Sequence, residues 1–161
     1  MTKVFQDKFG PANGNCMQAA IASLFDLSLE EVPDFGSFGN MWFRSYFNFL
    51  KEIGYEYEGC CHNSKRLGYW GDRTLEDHIK ECESVNGYYY AYVYSPGLFD
   101  RVQYICNPEY KATTHAIIID KELNVIHDPH PHYQGIVDYP LHERLGNHGI
   151  LGFDFIEKIE A

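Results

Sequence analysis

The sequence has no run of apolar residues long enough to cross a bilayer. Its first residues, Met1-Thr2-Lys3-Val4-Phe5-Gln6-Asp7-Lys8, lack the apolar core of a signal peptide. Basic residues are scarce: 13 Lys and Arg against 23 Asp and Glu give a formal net charge of -10. A chain of that sign repels duplex nucleic acid unless a local basic patch intervenes, and the nearest cluster is only Lys65-Arg66. Neither nucleic acid nor a membrane is therefore an expected partner. Five cysteines, an odd number at irregular spacing, argue against a disulfide framework and for reduced thiols in the cytoplasm. There is no internal repeat, low-complexity tract or linker, so residues 1–161 are expected to form one domain.

Aromatic residues are plentiful at 16%, with thirteen tyrosines, and they suit strands and groove walls. The most organised stretch is Gly14 to Leu27. Met17, Ala20, Ile21, Leu24 and Phe25 recur at helical spacing, with Asn15 as the expected N-cap. Cys16 falls on the first turn, where free N–H groups and the helix dipole favour a thiolate and can hold an oxyanion. A second helix is expected from about Asn40 to Ile53, ended by Gly54, and a third opens at Thr74. Strands are expected at Tyr55–Cys61, Gly87–Tyr94, Ala112–Asp120, Asn124–Asp128 and Gly152–Ile159. Helices lead and strands follow, which points to an α+β fold with N-terminal helices packed on a mainly antiparallel sheet. Aromatic residues on glycine-flanked loops, Phe35 and Phe38 and then Tyr69 and Trp70, are candidate borders of a substrate groove.

A nucleophilic cysteine needs a base within reach and a group to orient that base. His115 opens a strongly apolar strand, Thr114-His115-Ala116-Ile117-Ile118-Ile119. Asp128 closes the next one. If Lys121-Glu122 is the loop between them, Ile117 faces Ile126 and His115 faces Asp128 on the same side of the sheet.

Gly14-Asn15-Cys16 opening a helix, then Thr114-His115-Ala116-Ile117, then His127-Asp128-Pro129, resembles the papain-like cysteine peptidase superfamily. Within it the sequence is most similar to the small bacteriocin-processing-peptidase-like group of bacteria and their phages. The resemblance covers the first quarter of the chain and roughly Ala112 to Pro131; residues 40–111 match no motif. It implies a papain-like fold and a thiol hydrolase acting on a peptide or protein, and no cofactor is expected. It also implies Cys16 as nucleophile, His115 as general base and acid, and Asp128 as orienter. An upstream glutamine, here Gln6, is implied as an oxyanion donor beside the Cys16 backbone N–H. Nine residues separate Gln6 from Cys16, a wider gap than the pattern shows, and Asn13 and Asn15 are the substitutes.

Two other readings compete. His127-Asp128-Pro129-His130-Pro131-His132 packs three histidines and a carboxylate into six residues, a donor set that suits zinc. Its prolines favour an extended backbone that sends alternate side chains apart, so no metal is expected. The acidic charge and the run Tyr88-Tyr89-Tyr90-Ala91-Tyr92 would also fit a binding module without turnover. A half-buried strand explains those tyrosines as well, with Tyr88, Tyr90, Tyr92 and Tyr94 on one face.

Overall fold

A computed structural model describes residues 1–9, 14–65, 73–94, 114–133, 139 and 142–160. Tyr69, Trp70, Asn13 and Cys106 lie outside them. Helix α1 spans Cys16–Leu24, and a 3-10 segment, Phe35–Met41, leads into α2, Trp42–Glu52. Strand β1 is Tyr55–His62, α3 is Leu75–Glu81, and β2 is Tyr88–Tyr94. Strands β3, Thr114–Asp120, and β4, Val125–His127, form a hairpin. A short helix α4, His142–Leu145, precedes β5, Gly152–Lys158. Among the described residues the strands make one antiparallel sheet in the order β1-β5-β2-β3-β4. The protein is α+β, as the order of its sequence elements implies.

The sheet is covered on both faces. Tyr90, Ala116, Ile118 and Ile156 pack against α1 and α2. Tyr89, Ala91, Val93, Ile117, Ile119 and Phe153 pack against Leu75 and Ile79 of α3 and against Tyr139. Period-two alternation along β2 and β3 thus feeds two cores rather than one core and water. Every residue of α1 from Gln18 to Leu24 is buried, so this helix sinks into the fold beyond its apolar stripe. Ala19, Ala20 and Ala22, all at 0% exposure, allow that close approach.

The β3–β4 hairpin differs from the expected ladder. The loop comprises Lys121, Glu122 and Leu123, with Leu123 at φ 65. The Asp120 carboxylate sets this turn by accepting the backbone N–H groups of Glu122 and Asn124 at 3.0 and 2.9 Å. Burial of the Leu123 side chain compensates for its left-handed backbone. Ile119 pairs with Val125 and Ile118 with His127, leaving Ile126 as an extra bulge residue. Loop and bulge each add one residue, so Val125 moves to the other face while the residues after Ile126, shifted by two, return to theirs. Asp128 therefore lies beyond the end of β4 rather than on the ladder opposite His115.

Candidate active site

The site assembles where β4 ends and the edge of β3 is left open. The ladder between β3 and β4 reaches only Ile118, so the β3 edge at Ala116 has no strand partner from β4. The N-terminus of α1 comes in at this gap. Cys16 is the first helical residue, and its thiol lies within the electrostatic influence of the His115 ring and of the backbone N–H groups of Ala116 and Met17. Burial pushes the Cys16 thiol up, but the His115 ring and those N–H groups outweigh it and hold the thiol below its ordinary value.

His115 is 4% exposed. Its Nε2–H donates to Asp128 Oδ1 at 2.6 Å, which leaves Nδ1 for the thiol. Burial works against a charged imidazole here. The hydrogen bonds to Asp128 and Cys16 prevail, and the ring is raised to about 9. Asp128, also 4% exposed, takes the His130 backbone N–H on Oδ1 at 2.8 Å and the Tyr139 hydroxyl on Oδ2. Burial raises this carboxyl, and the His115 bond leads the contacts that bring it below the ordinary value. Cys16, His115 and Asp128 are thus brought together, with the His115–Asp128 pair hydrogen-bonded and the conditions around the ring favouring its charged form. The stacked pair His130 and Tyr133, 3.8 Å between centroids, stands beside it, with the Tyr133 ring edge-on to His115.

Asn15 does not cap α1 with its side chain. Its Oδ1 instead accepts the backbone N–H groups of Asp7 and Lys8, and its Nδ2 donates to Asp7 and Gln18. The early helix amides stay uncapped by it, and the side chain pins the N-terminal segment over the helix start. Gln6 lies in that segment. Its backbone N–H donates to the Pro129 carbonyl at 3.0 Å. Its Nε2 donates at 2.9 Å to the Lys8 carbonyl, which also accepts the Asn15 N–H. The Gln6 amide therefore sits between the chain carrying Asp128 and the residue before Cys16. Nε2 keeps one further hydrogen to donate. The wide spacing from Gln6 to Cys16 is accommodated by this Asn15 anchorage.

Of the expected aromatic border, Phe35 and Phe38 do not line the Cys16 pocket, and Tyr69 and Trp70 lie outside the described residues. Phe35 is fully buried, edge-on to Tyr46 and Phe49 in the core under α2. A buried side chain cannot border a groove. Phe38 is 52% exposed and lies with Arg44 and Glu52 on a separate surface hollow. The pocket that contains Cys16 has a volume of ≈ 350 Å³ and is walled by Trp42, Phe47, Tyr57, Tyr90 and Tyr92, with Asp154 in its lining. Tyr90 and Tyr92 follow from β2 alternation. The others come from α2, β1 and β5, whose convergence no local pattern announces. Tyr139 is likewise unannounced: it is an isolated aromatic between segments with no periodicity.

The histidines of the 127–132 segment part company. His127 Nε2 donates to the Val4 carbonyl at 2.7 Å, His130 stacks on Tyr133, and His132 is exposed. Among the described residues, no three His, Cys, Asp or Glu side chains are grouped to hold a metal ion. Cys60 and Cys61 face opposite sides of β1. Cys60 bonds the Tyr92 hydroxyl, whereas Cys61 lies 3.7 Å from Cys82. Burial pushes Cys61 up to about 12 and raises Cys82 as well.

An antiparallel α+β protein with a Cys-His-Asp line at a helix N-terminus is what fold and site together define. No protein-family model, no curated protein and no solved structure matches this chain.

Proposed function

We propose that this protein is a papain-like thiol hydrolase that cleaves a peptide or isopeptide amide through an acyl-thioester. The observation that carries the reading is the pairing of a thiol with a lowered pKa and an imidazole raised to about 9, anchored by a buried carboxylate. Such a pair holds thiolate and imidazolium together near neutral pH. The thiolate attacks the acyl carbon, and the carbonyl electrons move onto oxygen. The Cys16 backbone N–H and Gln6 Nε2 hold that oxyanion. His115 gives its Nδ1 proton to the leaving amine as the C–N bond breaks. A water then attacks the thioester, His115 takes its proton, and the carboxylic acid leaves as the thiolate returns. Asp128 touches no reacting atom; it fixes the ring and stabilises its charge.

The experiment is to trap the acyl-enzyme. Incubation with activated peptide esters followed by intact-mass and peptide mass spectrometry should place an acyl group on Cys16. Slower deacylation in Gln6→Ala should raise its occupancy. Acylation on another cysteine, or none on Cys16 in folded protein, would overturn the reading.

A further inference from the structure

Asp154 lies in the pocket that Cys16 opens into, yet the chemistry above makes no use of it. It is 8% exposed, on β5 directly opposite Cys60. One oxygen, Oδ2, accepts the Tyr46 hydroxyl at 2.9 Å. The other, Oδ1, accepts no hydrogen bond from a described residue and keeps slight exposure to the pocket. Buried carboxylates are ordinarily answered by several donors or by a cation, because an unanswered one is costly. Among the described residues that line the pocket nothing is basic: Tyr46, Tyr57, Tyr90 and Tyr92 surround the acid, and the Tyr92 hydroxyl is engaged with Cys60. Burial accordingly pushes Asp154 up to about 7, with the Tyr46 hydrogen bond only partly opposing it. The open side of this carboxylate is therefore free to meet water or a bound ligand in the pocket. Aromatic faces around a carboxylate favour a cation on an apolar stem, through cation–π attraction along the wall and an ion pair at the floor. The chain's net charge of -10 attracts cationic ligands.

Resting on the hydrolase reading, we propose that this pocket is the specificity site for a basic residue in the acyl portion of the substrate. Its lysine or arginine stem lies along Trp42, Tyr57 and Tyr90, and its head pairs with Asp154. The pocket contains both Cys16 and Asp154, so a single residue near the scissile carbonyl spans the nucleophile and the acid.

The test uses short peptidyl chloromethyl ketones that differ at one residue, Lys, Arg, norleucine or Glu, placed first or second from the electrophile. The second-order rate of Cys16 alkylation is read by mass spectrometry. The Lys and Arg probes are expected to react at least about tenfold faster than norleucine at pH 8, and Glu slowest. That ratio should collapse toward one in Asp154→Asn, which keeps an oxygen for Tyr46. Should that variant fail to fold, wild type itself is the test: the ratio falls as pH drops below about 7 and Asp154 takes up its proton. A norleucine rate equal to that of Lys at both positions, or a preference that survives Asp154→Asn, overturns the proposal. Failure of every probe to alkylate Cys16 overturns the hydrolase reading instead. The same peptides as methylamides, titrated against tryptophan emission, then decide the pocket alone: a lysine preference upholds it, and no preference overturns it.

Discussion

In the proposed mechanism Asp128 and Tyr139 act on the chemistry at one remove. In Asp128→Asn the side-chain oxygen can still accept from His115 Nε2, but the negative charge that holds the imidazolium is gone. We expect single-turnover rates to fall about ten- to a hundredfold. Cys16→Ala and His115→Ala should be near-inactive while still folded by circular dichroism. Wild-type rates in folded Asp128→Asn and Asp128→Ala would remove Asp128 from the site. Tyr139→Phe strips the hydroxyl from Asp128 Oδ2 and leaves a buried acceptor short of a donor. Urea unfolding should register a loss of about 1–3 kcal/mol. The rate profile should be bell-shaped in pH. Its acid limb follows a Cys16 thiol held below its ordinary value, and its alkaline limb lies near 9, where His115 loses the proton it must deliver. An alkaline limb near 6.5 would mean that the imidazole is not coupled to Cys16 and Asp128.

At the scale of elements, the sequence made the pieces readable and left their meeting place open. Thr74 and Asp77 cap α3 reciprocally, and Gly54 takes φ 89 after α2, as residue types alone dictate. The helix N-terminus carrying Cys16 was legible for the same reason, and so were His115 and Asp128 as neighbours. The hairpin register was not, because it depends on Asp120 side-chain bonds and a bulge that hydrophobic alternation does not encode. Asp154 was hidden differently. Between Phe153 and Phe155 it reads as the wet side of a half-buried strand, but α1 and α2 cover that face. Asn15 was misassigned because one residue type serves both a cap and a clamp on a neighbouring segment. The same floor predicts an intolerant glycine. A Cβ on Gly152 would stand 2.7 Å from the Cys61 carbonyl and 2.8 Å from the Tyr92 hydroxyl. Gly152→Ala should therefore force β1 from β5, cost about 1–3 kcal/mol in urea unfolding and disturb the Tyr92 wall. An unchanged midpoint would show that the strands yield freely there.

Across the whole molecule, the buried acid in the pocket lining costs stability, and the proposed specificity role would be what that cost sustains. Asp154 is raised from 3.8 to about 7, so between those values the folded chain holds a proton that the unfolded chain has released. Its contribution to stability therefore falls as pH rises through that window and is lowest above it. Asp154→Asn should be more stable than wild type at pH 8, on the order of 2–4 kcal/mol, with the gap closing toward pH 4. Equal stabilities at pH 8 would mean that the carboxylate is solvated in the native state. No helix among the described residues is long and apolar enough to cross a membrane. The central claim is that α1, β3 and the chain after β4 converge to make Cys16 a thiolate. Its most direct measurement is competitive iodoacetamide labelling of the native protein near pH 6, with each cysteine followed by mass spectrometry and His115→Ala run beside wild type. The account predicts that Cys16 labels first, well ahead of Cys61 and Cys82, and that His115→Ala abolishes the lead. Labelling that begins at Cys60, Cys61 or Cys82, or a Cys16 rate indifferent to His115, would contradict it.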